Sequence, residues 1–576
     1  VAGVPIAALA EGDTYRHLGV PTGYRNAQSP EQEVEAMGAD LDKIHASLLA
    51  PWQKINAVST FLQSRLQFIL RGGRVRKAVV TRFDKKMKKY CKEWMHLPLR
   101  ATPLIVHAPT HEGGAGLLPL ADMCDLATVT HGYRLLTCKD PDVKDLAWAS
   151  LFQTTKQKLG KQEISKDDMV GFLNGETEGE FNRDGGALGN HWTFTRSAGR
   201  RLKKSTGTKW RWSEELQEVQ MEIPAPESAA GRILVGPGAR SQVYRRLATA
   251  RRQEYRRRLV ALPDQGKAME PVSRNPASSH FLRDGKFTRF AEWRFIHRAR
   301  LNVVPLNGAL RGPARNKMCR RCLHPNETLP HVLNHCGRHS AAWQHRHNSV
   351  LHRLAAAIPR DPGVEVRVNR AVPHTGSLLR PDLVVVDEPR KKISIVDVAV
   401  PFENRSQALD LVRTTKTTKY QGLADTLTAQ GYTVFNEALV VGSLGSWDPC
   451  NDYVLQQLRV RWRWRRRLPT RNQSQTRPPQ SGVVAVGEDK VVVDQGADQD
   501  HNHDVGPGRW SRGARNTVVR APTIGHSAPH RWGHQPPTVG PPVEGGDLRA
   551  PPTKTEVLPE RTSAPPLDHR WKGRDA

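Results

Sequence analysis

From Trp52 to Leu70 the apolar residues Ile55, Val58, Leu62, Leu66 and Ile69 recur at steps of three and four, which predicts a helix with one buried stripe. Gly72 and Gly73 end it. A second helix is predicted next, with Val75, Val79, Phe83, Met87, Tyr90 and Trp94 on its apolar side and Arg82, Lys85, Lys86 and Lys89 on a charged one. Residues 150–235 are polar and weakly periodic, with glycine patches such as Gly185-Gly186, and read as a connector with short helices. Helical composition returns between Arg240 and Arg258, where arginine dominates, and again in FTRFAEWRFIHRARL, with Phe290, Trp293 and Ile296 facing inward.

The period then changes. Asp382 opens the run DLVVV, the polar stretch DEPRKK reverses it, and ISIVDVAV returns, which is the pattern of a β-hairpin. SQALDLVRTTKTTKYQGLADTL follows with helical spacing and places Lys416, Lys419 and Tyr420 on one face. Past Arg467, Pro, Gly, Arg, His and Gln prevail and apolar residues stand singly, except in short runs such as Val491 to Val493. Such a tail buries too little apolar surface to offset its ordering entropy, so disorder is expected. The pattern as a whole predicts a multidomain α+β chain: a helical region over 1–150, a basic helical linker over 151–310, a cysteine-rich module over 311–350, an α/β module over 351–465 and a low-complexity tail over 466–576.

Charge adds a partner. Lysine and arginine number 87 against 57 acidic residues, a formal net charge of +30, and a surface of that sign suits a polyanion, with nucleic acid the leading candidate. The basic faces at Arg82, Lys85, Lys86 and Lys89, and Arg320, Arg321 and Arg380 farther on, are the candidate contacts. The seven cysteines do not form the even framework of a secreted disulfide protein, and no stretch approaches the roughly 18 consecutive apolar residues of a membrane span. A soluble protein of a reducing compartment is therefore expected. The chain begins at Val1 within a structured pattern, which reads as a fragment.

Two clusters carry candidate chemistry. Cys319-x2-Cys322 is followed by His331 and Cys336, a spacing that can deliver four nitrogen and sulfur ligands to a tetrahedral zinc ion. His335 competes with Cys336 for the fourth position. In the hairpin, Asp382 at the start of one strand and Asp397 inside the other can meet across the ladder, and two hard oxygen ligands suit Mg²⁺. Many restriction-type nucleases place a lysine two residues after the second acid; here that residue is Ala399, so Lys416 is expected to reach in from the following helix, with Lys419 and Tyr420 beside it. Glu403 is a candidate third acid. Metal-assisted phosphodiester hydrolysis follows from these residue types.

With these elements in order, the sequence resembles the C-terminal portion of the polyprotein of site-specific non-LTR retrotransposons, LINE-type elements that carry a restriction-like endonuclease. YRHLGV at Tyr15 to Val20 is similar to the end of a reverse-transcriptase palm, and HEGGAGLLPL at His111 to Leu120 to the glycine turn of its thumb. FIHRARLNVVPL, the cysteine cluster, Arg346-His347-Asn348, Arg-Pro-Asp, the second Asp and Lys-x2-Lys-Tyr complete the resemblance over roughly residues 1–465. It implies a palm end and thumb over 1–150, a zinc knuckle over 311–350 and an endonuclease over 351–465, with Asp382, Asp397 and Lys416 catalytic and Tyr420 in support. It further implies a nuclear site of action, a double-stranded target in the ribosomal RNA genes, the element's own RNA as template, and a nick whose 3′ hydroxyl primes copying. A polymerase Phe/Tyr-x-Asp-Asp motif is absent; the single Asp-Asp pair, Asp167-Asp168, reads as a surface pair. Two other classes share the same residues: a nucleic-acid-binding remnant with a decayed nuclease, and a structure-specific junction nuclease.

Overall fold

The stripe from Ile55 to Ile69 is buried as its spacing predicts, with Val58 and Leu66 fully inaccessible. Its carrier is an α-helical run, Pro51–Ala57 and Gln63–Gly72, joined through a π turn at Val58–Leu62. The computed structural model describes residues 31–460, apart from 73–75, 184–188, 226–227, 229, 286–287, 310–311 and 313–314, together with Ala10 and the antiparallel pair β1 (Tyr15–His17) and β2 (Val20–Thr22). The tail expected over 466–576 lies outside the described residues.

The fold mixes helices with sheets, as the alternating periods predict. After α1 (Glu31–Ala46), α2 (Lys77–Trp94) buries Val80, Phe83, Met87, Cys91 and Trp94, one residue out of the predicted register at its start, where Val79 is only half-buried. Asp84 on the same face accepts the Leu120 and Ala121 amides (2.7 and 3.1 Å), satisfying orphan donors at the start of α3 (Leu120–Leu136). Burial pushes its carboxyl up to about 6.

The stretch expected as a connector differs most from its sequence pattern. It contains an antiparallel sheet, β3 (Lys209–Ser213), β4 (Glu218–Pro224) and β5 (Arg232–Val235), in that order. Trp210, Val219, Met221 and Ile223 bury one side of it. The Tyr133 hydroxyl on α3 donates to the Val235 carbonyl at 2.7 Å, fastening sheet to helix. One apolar cluster runs from Val34 to Val303, through this sheet and on to α4 (Val243–Val260) and α5 (Phe290–Arg300). Asp167 and Asp168 occupy the first turn of a helix, Lys166–Leu173, where Asp168 forms a capping box with Ser165.

Beyond the cysteine cluster, α6 (Ser340–Ala357) leads into a four-stranded sheet in sequential order, β6 (Val364–Val368), β7 (Leu383–Asp387), β8 (Lys392–Ala399) and β9 (Thr433–Val440). The hairpin is present: β7 and β8 are antiparallel with Leu383 opposite Val396. β8 and β9 are parallel, which requires a crossover, and α7 (Arg405–Lys419) with α8 (Gln421–Ala429) provides it. Alternate strand residues face opposite layers. Leu383, Val385, Val396 and Val398 pack on α6 and on α9 (Asn451–Gln457), whereas Val384, Val386, Ile393 and Ile395 pack on Tyr420, Leu423 and Leu427. Both faces are covered, which explains the unbroken runs of Val and Ile. No helix among the described residues is long and apolar enough to cross a membrane.

One loop ties this sheet to the helices before it. Leu444, just past β9, donates its amide to Glu403 Oε1 (2.7 Å), and its carbonyl accepts two bonds from the Arg300 guanidinium (3.0 and 3.2 Å). Both charged side chains are buried, Glu403 completely. Replacing Arg300 by Leu therefore leaves the Leu444 and Ser278 carbonyls and the Ser279 hydroxyl without their buried partner and removes the positive charge nearest Glu403, and is expected to destabilise the protein by about 3 kcal/mol or more. Urea denaturation measures it; a loss under about 1 kcal/mol, the scale of one ordinary hydrogen bond, would remove this loop from the structural argument.

Candidate metal centres

The cysteine cluster closes on itself. A turn in which the Leu323 amide donates to the Cys319 carbonyl (2.9 Å) and the Cys319 amide to the His324 carbonyl (2.8 Å) presents the first two thiols. A short π turn, His331–His335, closed by the Cys336 amide on the His331 carbonyl (2.7 Å), presents the other two ligands. One donor atom from each of Cys319, Cys322, His331 and Cys336 lies within 4.8 Å of all the others. Tetrahedral zinc bonds would bring such atoms to about 3.5–4 Å apart, so the four fit a zinc ion with small adjustments. His335, the competing ligand, is exposed and outside this group.

Around the cluster, charge is partly committed. Glu327 is buried and accepts the Arg320 guanidinium (2.9 Å), the Arg320 amide (3.1 Å) and the Asn307 amide (2.7 Å). Arg320 therefore holds the knuckle together, whereas Arg321 is exposed. Leu329, Val332 and Leu333 are buried with Ala299, Val304 and Leu444, an apolar seat that spacing alone does not reveal.

The two aspartates meet at the mouth of β7 and β8. The Asp382 amide donates to Asp397 Oδ1 (3.1 Å), and Asp382 Oδ2 accepts the Val398 amide (2.8 Å). Lys416 Nζ, from α7, stands 2.5 Å from Asp397 Oδ2. That ion pair partners Asp397 Oδ2, a buried oxygen. Tyr420, at the α7–α8 junction, donates its hydroxyl at 3.4 Å to Asp397 Oδ1 or to the Arg380 carbonyl. Lys419 is not brought to the carboxylates; it is exposed, its ammonium 4.8 Å from the Tyr420 ring centre. Glu403, the candidate third acid, is likewise not brought to the pair: its oxygens accept from Ser443, Leu444 and Ser446 in the loop after β9.

Electrostatics divide the two acids. Burial opposes ionisation of Asp382, but hydrogen bonds from His347 and the Val398 amide outweigh it and hold the carboxyl below its ordinary value. For Asp397 burial prevails and, with the Asp382 charge, raises it against the pull of Lys416. The pair thus joins a half-buried carboxylate that favours its charged form to a buried one that resists it.

His347 is the member that the residue patterns did not assign. Its Nε2 lies 3.2 Å from Asp382 Oδ2 and 3.1 Å from the Val398 carbonyl, two acceptors, so this nitrogen carries a proton. The one signal available was its place in Arg346-His347-Asn348. Among the basic candidates, Arg82, Lys85, Lys89 and Arg380 are exposed, while Lys86 pairs with Asp42 at 2.5 Å. On α4, Arg251 pairs with Asp122 and Arg256 with Glu112, leaving Arg245, Arg246 and Arg258 on the surface.

No protein-family model matches the chain. It is similar to an uncharacterised protein of Caenorhabditis elegans, 25% identical over 311 residues that cover 53% of this chain and 88% of that protein. It is also similar to the retrovirus-related Pol polyprotein from type-1 retrotransposable element R2 of Popillia japonica, 21% identical over 463 residues, 80% of this chain and 79% of that protein. The polyprotein of the same description from Nasonia vitripennis is 34% identical over 113 residues, 19% of this chain and 11% of its own. At these identities the similarities support a relationship to retrotransposon Pol polyproteins.

The cluster geometry makes a stoichiometric prediction. The purified chain is expected to hold one zinc ion, Cys336→Ser to lose it and His335→Ala to keep it, as read by elemental mass spectrometry. Zinc lost from His335→Ala and kept in Cys336→Ser would reverse the ligand assignment.

Proposed function

We propose that this chain carries a metal-dependent DNA endonuclease belonging to a retrotransposon polyprotein, one that nicks a chromosomal strand so that the exposed 3′ hydroxyl can prime copying of the element's RNA. The observation that carries the reading is the convergence of Asp382, Asp397 and Lys416, drawn from a strand mouth, a strand interior and a crossover helix. The similarity to R2 Pol polyproteins supports the retrotransposon part of this reading; a nuclear site of action and a target in the ribosomal RNA genes belong to the proposal itself.

Asp382 and Asp397 are the residues that would hold Mg²⁺. When bound, the ion supplies charge neutralisation at the phosphate and a more acidic water. The chain's own residues do the rest. Lys416, its stem only partly exposed, presents an ammonium beside Asp397 Oδ2, where it can orient the attacking water or meet negative charge on the phosphoryl oxygens. Tyr420 steadies the opposite Asp397 oxygen, and its junction position fixes where α7 ends. Arg380, exposed immediately before Pro381-Asp382, would meet the DNA backbone in this reading. The knuckle and the free arginines of α4 add sequence-independent grip on DNA or template RNA.

Nicking of supercoiled plasmid with Mg²⁺ tests the assignment. Asp397→Ala and Lys416→Ala are each expected to lower the rate by about 100-fold or more, the usual scale for removing a transition-state contact. Lys419→Ala, by its position, should change it by only a few-fold. Equal rates for wild type and Asp397→Ala would leave the chain as a nucleic-acid-binding remnant, and a strong preference for branched over linear duplex would favour a junction nuclease.

A further inference from the structure

The turn that supplies half of the zinc ligands also touches the strand that carries Asp397. Between His331 and Cys336, the Asn334 side-chain amide donates to the Val400 carbonyl (2.7 Å), one residue past the end of β8. The neighbouring Leu333 carbonyl accepts the guanidinium of Arg346 (3.0 Å), a buried residue of α6. The next residue on α6 is His347, whose Nε2 faces the Val398 carbonyl and Asp382 Oδ2. Two routes thus run from one five-residue turn to the carboxylate pair: directly through Asn334 to the end of β8, and through Arg346 and His347 to Asp382. Beneath them, Val332 and Leu333 are buried with Leu444, and Phe402 packs on the same cluster.

A lone π turn of this length has little stability of its own, because a single turn fixes many dihedrals for few hydrogen bonds. Here a zinc ligand opens it, His331, and another follows it directly, Cys336, so the ion would cross-link it in the shape that presents Asn334 and the Leu333 carbonyl. We infer that the zinc-loaded knuckle is a positioning element of the carboxylate centre, holding the end of β8 and the His347 contact to Asp382, in addition to any grip on nucleic acid. This inference rests on the reading of Asp382 and Asp397 as the catalytic pair.

The Val398 amide, which donates to Asp382, is a direct reporter. In the full 576-residue chain, without Mg²⁺, withdrawal of zinc is expected to speed hydrogen exchange over residues 396–400 roughly ten-fold, the scale of losing one buried hydrogen bond. Asn334→Ala should keep its zinc and its DNA affinity, show the same faster exchange, and lose kcat with KM for DNA unchanged. Should Asn334→Ala prove to lose the metal, Arg346→Met, outside the ligand loop, takes its place with the same expectations. Unchanged exchange at 396–400 after zinc withdrawal would overturn the coupling, as would an Asn334 or Arg346 variant that loses only DNA affinity. Exchange is read without cleavage, so a wild type that fails to nick sinks the nuclease reading separately and still leaves the coupling to be decided.

Discussion

The backbone of a single residue, Leu444, is held between two buried charges, and the placement of the candidate centre depends on it. Its amide points to Glu403, at the exit of the β8 strand, and its carbonyl to Arg300, at the end of α5. In a low-dielectric interior neither charge is tolerable alone. Burial pushes the Arg300 guanidinium down to about 10 and raises the Glu403 carboxyl. The loop answers with donors and acceptors. Ser443, Leu444 and Ser446 donate to Glu403, and Ser278 and Leu444 accept from Arg300. Approach this close demands a glycine: a Cβ on Gly442 would lie 2.0 Å from Glu403 Oε1. The consequence is positional. β8, the loop after β9 and α5 are locked together, and the knuckle packs its apolar side chains into the same corner.

What the sequence disclosed and what it hid follow from the range of the interactions. The Ile55 to Ile69 stripe, the β7–β8 hairpin and the four ligands at Cys319, Cys322, His331 and Cys336 were legible because each is a local spacing. Lys416 was legible as well, since the helical period after β8 puts one lysine a fixed rotation from Tyr420. The sheet over residues 209–235 was not. KWRWS and EVQMEIP interleave charge with their apolar residues, and what makes them strands is burial of Trp210 and Met221 against helices that begin far away in the chain. The role of Glu403 was hidden for the same reason, its partners lying about forty residues downstream.

Charge is the clearest case of tertiary context overriding sequence. Lys86 looks like its neighbours Arg82, Lys85 and Lys89, yet Asp42 claims it; Arg320 looks like Arg321, yet Glu327 claims it. An arginine-rich run such as α4 therefore divides into cations that brace the helical core and cations that face outward. Arg251 and Arg256 are of the first kind, Arg245, Arg246 and Arg258 of the second. A net charge of +30 points to a polyanion. It is the residual set of exposed, unclaimed cations that would touch it.

The carboxylate centre shows how the layers and the loop act together. Asp397 is 2% exposed in a strand of Val and Ile, an arrangement that costs several kcal/mol without compensation. The Asp382 amide and the Tyr420 hydroxyl meet one of its oxygens, and the ammonium of Lys416 meets the other. On Asp382, nearer the surface, a single oxygen, Oδ2, takes both the Val398 amide and His347. The asymmetry has a physical origin in the hairpin register, which sets Asp382 one residue outside β7 and Asp397 well inside β8. One carboxylate is consequently held through a single oxygen, and the other is bridged from the strands to α7 by Lys416. How firmly the two carboxylates and Lys416 are held together therefore depends on how rigidly the end of β8 is kept in place.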